Sequence, residues 1–179
     1  LHAAMYGDAF KAAPAQSEPV FGCVYKLVAV EDKDGNIVPK IKISENVGKI
    51  TTPHFKKLYR FYGRDTGKAI ADYLTVYDET VDDSKNLEIF DPDATWKRKE
   101  VYHFEARELL VPIYQKGKLV YKRPGIEEIK KYCAEQVDTL WDEVKRFDNP
   151  HNYYVDLSQK LYDIKTELLN EKNERYEKN

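Results

Sequence analysis

The chain has 179 residues, 42% of them hydrophobic, which supports one domain with a buried core but falls short of the roughly 250 residues of a complete eight-stranded α/β barrel. Its 29 basic and 31 acidic side chains leave a net charge of −2, which excludes a global attraction to nucleic acid or to an anionic membrane and makes any phosphate binding a local matter. Aromatic residues reach 13%, 14 tyrosines among them, a content that excludes disorder of the whole chain.

Residues 1–19 are rich in alanine and small polar residues and are interrupted by Pro14 and Pro19, so they read as a lead-in. Residues 1–4 carry neither a basic region nor an apolar stretch of signal-peptide type; with Met5 the only methionine, they read as a cloning scar or as the inside of a longer polypeptide. From Val20 the pattern changes. Val24, Leu27, Val28 and Val30 form a strand-like run, Asp32-Lys33-Asp34-Gly35-Asn36 supplies turn chemistry, and residues 37–43 alternate apolar with polar, which predicts a hairpin with one wet face. A second hairpin is expected from residues 57–62 and 68–77, flanking Gly63-Arg64-Asp65-Thr66-Gly67, whose two glycines make positive φ cheap.

Residues 87–90 read as a short strand ended by Asp91-Pro92-Asp93, and residues 109–114 and 118–121, separated by Gln115-Lys116-Gly117, as a third hairpin. Ile126, Ile129, Cys133, Val137, Leu140, Val144 and Phe147 recur every three or four residues, which predicts one helix over 126–147 as a core element. Trp141 beside that stripe adds apolar surface, and Trp141→Ala would cost about 3–5 kcal/mol if the ring is buried. Asp148-Asn149-Pro150 stops the helix. A final helix carries Leu157, Leu161, Ile164 and Leu168 on one side, with Ser158 as its N-cap after an extended stretch over 153–156. The fold class is therefore α+β: three β-hairpins followed by two amphipathic helices. The domain spans 20–171, followed by a frayed tail over 172–179.

Charge is segregated along the chain. Between Lys40 and Lys68 eight basic residues stand against Glu45 and Asp65; between Asp72 and Asp93 eight acidic residues stand against Lys85 alone. A phosphate footprint and a magnesium site are the functional readings, but neutralisation between adjacent hairpins is the expectation, since surface charge runs are common. Trp96-Lys97-Arg98-Lys99 is a basic motif with an aromatic, expected to make a cation–π contact inside the chain. His2, His54, His103 and His151 are dispersed without metal-ligand spacing, and no P-loop, G-x-S-x-G or G-x-G-x-x-G occurs. Cys23 and Cys133 lie outside any C-x-x-C pair and read as a buried, reduced pair in a cytoplasmic protein. No apolar run approaches the roughly 18 residues of a membrane helix.

At Phe21-Gly22-Cys23-Val24-Tyr25-Lys26-Leu27-Val28-Ala29-Val30 the chain begins to resemble the C-terminal part of the nicotinate phosphoribosyltransferase family. The resemblance continues through Lys40-Ile41-Lys42-Ile43-Ser44-Glu45-Asn46, Lys49-Ile50-Thr51, Arg107-Glu108-Leu109-Leu110-Val111-Pro112 and Tyr153-Tyr154-Val155-Asp156-Leu157-Ser158, covering about residues 17–171. It implies an accessory domain of an enzyme that joins nicotinate to 5-phosphoribosyl 1-diphosphate, with ATP hydrolysed through a phosphohistidine, in NAD salvage. The chemistry would lie in an α/β barrel preceding this segment, with residues 1–19 as a remnant of the junction. The family's phosphate-holding Gly-Thr turn would fall near Ala9-Phe10, and no threonine precedes Thr51.

The resemblance therefore assigns no catalytic residue and no metal ligand to this chain. Lys40, Lys42 and Lys49 are the candidates for reaching a substrate phosphate. ATP and magnesium belong to the full enzyme, with no cofactor bound by this chain. The expected partners are the barrel of the same enzyme or a second copy of the chain, in a cytoplasmic homodimer, with neither nucleic acid nor membrane. The alternative is a free-standing structural or interaction module derived from that enzyme, without catalysis.

Overall fold

A computed structural model describes residues 25–177, with side chains described through residue 171. The lead-in over 1–19, the expected strand start at 20–24 and Cys23 lie outside the described residues. The described chain is a mixture of α and β, with four small sheets and three α-helices, and it divides into two units. One comprises residues 1–55 and 163–179, the other Lys56–Tyr162.

In the first unit β1 (Ala29–Glu31) and β2 (Ile37–Pro39) pair antiparallel, with Val30 opposite Val38. The Asp32 carboxylate accepts the amides of Asp34 and Asn36 at 2.9 and 2.8 Å, and Gly35 at φ +85° completes the turn. The second strand stops at Pro39 rather than at residue 43, since proline has no amide hydrogen for a ladder. A single 3₁₀ turn follows at Val47–Lys49, capped by the Asn46 side chain.

In the second unit β3 (Lys56–Gly63) and β4 (Ala69–Val76) form the expected hairpin, Tyr59 opposite Tyr73 and Phe61 opposite Ala71, with a register shift after Phe61. The two glycines of its loop differ in function. Gly67 has φ +63°, whereas Gly63 is set by space, because a Cβ there would lie 2.8 Å from the Thr66 hydroxyl. Next come β5 (Leu87–Phe90) and β6 (Arg98–Val101), an antiparallel pair, and β7 (Phe104–Glu108), which joins the free edge of β3. Sequence patterning misses β6 and β7 because Arg-Lys-Glu and Glu-Ala-Arg-Glu are poor strand formers; pairing to a preformed neighbour decides them.

The third hairpin reduces to two residues a side, β8 (Tyr114–Gln115) and β9 (Lys118–Leu119). Then follow α1 (Ile126–Asp138), α2 (Asp142–Lys145), β10 (Val155–Leu157), which lies parallel to β4, and α3 (Gln159–Glu177). The four-stranded sheet thus has the order β10-β4-β3-β7. One of its faces carries Tyr59, Phe61, Ala71, Tyr73 and Phe104, and with Ile89 and Val101 of the smaller sheet these make the core. The Phe61 ring lies 4.8 Å from that of Phe104 and 5.4 Å from that of Tyr73. Thr75 is buried on this face, and its hydroxyl has no hydrogen-bond partner among the described residues. Ser158 caps α3 as expected, its hydroxyl accepting the Leu161 amide at 3.2 Å.

The single helix expected over 126–147 is corrected. Helix α1 ends at Asp138 because tertiary partners claim the carbonyls that a continuing helix would use. The Ala69 amide donates to the Thr139 carbonyl at 2.8 Å, and the Lys68 ammonium donates to those of Asp138 and Leu140. Trp141 is extended and only the short α2 follows. Nor is this a core element: no residue of α1 is buried. Cys133 is a free thiol on its exposed surface, which overturns the expectation of a buried cysteine there.

Candidate functional site: a locked ion pair, an open cleft and an exposed helix face

Strands β3 and β4 place Arg60 directly opposite Asp72, and the two form a bidentate pair, Nε to Oδ1 at 2.7 Å and Nη2 to Oδ2 at 2.9 Å. The Tyr153 hydroxyl donates to Asp72 Oδ1 at 3.0 Å, and the Arg60 guanidinium carbon lies 5.7 Å from the Tyr153 ring centre. The bond to Asp72 holds Arg60 protonated more firmly than usual despite its burial, while burial and then the Asp72 charge push the Tyr153 phenol upward. Neither group gives up its proton in the ordinary pH range, so the cluster fixes structure rather than moving protons.

Two ion pairs join the basic and acidic runs among the described residues. Besides Arg60–Asp72, Arg64 pairs with Asp83 at 3.1 Å, Asp83 accepts the Ala106 amide of β7 at 3.0 Å, and the Lys57 ammonium donates to the Glu79 carbonyl. Lys40, Lys42 and Lys49 belong to the first unit and all three side chains are exposed. The Lys42 amide donates to the Thr51 hydroxyl at 2.9 Å, and Lys49 ends the 3₁₀ turn. The basic motif does make an internal cation–π contact, but between Arg98 and Phe90, at 5.3 Å; Trp96 is 79% exposed.

An open cleft of about 580 Å³ lies in the second unit between the Gly63–Thr66 turn, the β6–β7 turn and the Trp141 and Tyr153 regions. His103, at φ 49°, forms the β6–β7 turn; its carbonyl accepts the Arg64 amide at 3.0 Å and its Nε2 lies 3.1 Å from Asp65 Oδ1. Both side chains are solvent-exposed, so this pair pins two turns together weakly. His54 is buried in the first unit with Nδ1 accepting the Phe55 amide, and the His151 amide donates to the Glu143 carbonyl. Among the described residues no three His, Cys, Asp or Glu side chains gather as metal ligands. Among the described residues these side chains do not converge as acid, base and nucleophile.

Sequence reasoning missed Asp156. It lies in β10 opposite Tyr73, is buried, and has its carboxyl pushed up to about 6 by burial and secondarily by the Asp91 charge, with Lys99 opposing. The available signal was its position between Val155 and Leu157 in an extended run.

The third feature is the outer face of α1. Ile126, Ile129, Cys133 and Val137, the stripe expected to face a core, are all exposed, while the helix meets the sheet through Gln136, which accepts the Tyr62 hydroxyl at 3.1 Å, and through its C-terminal carbonyls. An amphipathic helix turned this way leaves its apolar side exposed among the described residues.

Comparison with known proteins supplies the family. The profile of the family described as "Nicotinate phosphoribosyltransferase C-terminal domain" matches residues 55–165. The chain belongs to the nicotinate phosphoribosyltransferase family. It is that family's C-terminal domain. The nicotinate phosphoribosyltransferase of Bacillus subtilis (strain 168) is 40% identical over 173 residues, covering 97% of this chain and 35% of the relative. That of Caenorhabditis elegans is 36% identical over 150 residues, 82% of this chain and 25% of the relative. The solved human nicotinic acid phosphoribosyltransferase shares the fold over 84% of this chain and 27% of its own, with a TM-score of 0.65 and 24% identity. The chain thus spans about a third or less of the length of these nicotinate phosphoribosyltransferases. No helix among the described residues is long and apolar enough to cross a membrane.

Proposed function

We propose that this chain is the accessory domain that braces or covers a catalytic barrel supplied by the rest of a nicotinate phosphoribosyltransferase. The whole enzyme joins nicotinate to 5-phosphoribosyl 1-diphosphate with ATP, releasing nicotinate mononucleotide and diphosphate, in the cytoplasm and as a homodimer. The observation that carries this reading is the apolar stripe of α1, exposed along its length on a family domain that makes up a third or less of its relatives. Each side chain covered there contributes about 1.5–3 kcal/mol when fully buried, so a few suffice to hold a domain in place within one polypeptide. ATP and magnesium act in the barrel, and Lys40, Lys42 and Lys49 are the groups of this chain that would reach a substrate phosphate.

The test is nicotinate mononucleotide formation from nicotinate, 5-phosphoribosyl 1-diphosphate, ATP and magnesium. The chain alone gives no product, and the whole enzyme does. Replacing Lys40, Lys42 and Lys49 by alanine in the whole enzyme raises KM for the phosphoribosyl donor and leaves the melting midpoint unchanged. Turnover by the chain alone, abolished by His54→Ala or His103→Ala, would overturn the accessory reading.

A further inference from the structure

We draw no further inference here: the strongest candidate, the exposed apolar face that Tyr114 and Leu119 form on the β8–β9 hairpin, carries no proposal because nothing in the structure shows what covers it.

Discussion

Replacing Asp72 by alanine removes the acceptor of three hydrogen bonds, two from Arg60 and one from Tyr153, and leaves a guanidinium and a phenol without their partner. Breaking one side of a fully buried pair costs about 3–5 kcal/mol, because the surviving charge has lost its compensation. Here the Arg60 and Asp72 side chains keep 20% and 12% of their accessibility, so water partly reaches the orphaned guanidinium and the expected loss is about 2–4 kcal/mol. Removing both charges is a different experiment. The Arg60→Met/Asp72→Leu double variant keeps the volume, buries no charge and is expected within about 1 kcal/mol of the parent. Tyr153→Phe removes one neutral-to-charged hydrogen bond at about 1–2 kcal/mol. Urea unfolding of the purified chain, followed by tryptophan fluorescence, measures all four proteins. A loss under about 0.5 kcal/mol for Asp72→Ala, or a double variant as damaged as that single one, would refute the view that the pair matters through uncompensated charge.

The Asp156 carboxyl binds its proton more tightly folded, at about 6, than its ordinary value of 3.8, so between pH 4 and 6 the folded chain holds more protons than the unfolded one. Stability therefore falls as pH rises through that window, by about 1–3 kcal/mol at ~1.4 kcal/mol per pKa unit; Asp156→Asn should flatten this slope in urea titrations across the range. Thr75→Val replaces an unpartnered buried hydroxyl by a methyl of similar volume and is expected to raise stability by about 1 kcal/mol, read as a higher urea midpoint at unchanged m-value. Trp141 is 44% exposed, so Trp141→Ala in the chain alone should cost about 1–2 kcal/mol, below the range for a buried ring; a loss above about 3 kcal/mol would place the indole in the core.

The parts of the fold legible in the sequence are those settled within a few residues. Asp32 and Asn36 build their own turn, Lys116-Gly117 takes the left-handed pair that a tight hairpin needs, and Ser158 caps the helix it precedes. What escapes is decided at a distance. The end of α1 at Asp138 is imposed by Lys68 and Ala69, about seventy positions earlier, and no local pattern contains them. Periodicity likewise groups Ile126, Ile129, Cys133 and Val137 on one side of a helix without saying what that side meets, because an outward stripe and a core stripe have the same spacing. The Arg60–Asp72 pair escapes for a related reason: the register set beside the Gly63–Gly67 loop, Tyr62 opposite Ala69, would put Arg60 opposite Ala71, and only the shift after Phe61 brings it to Asp72.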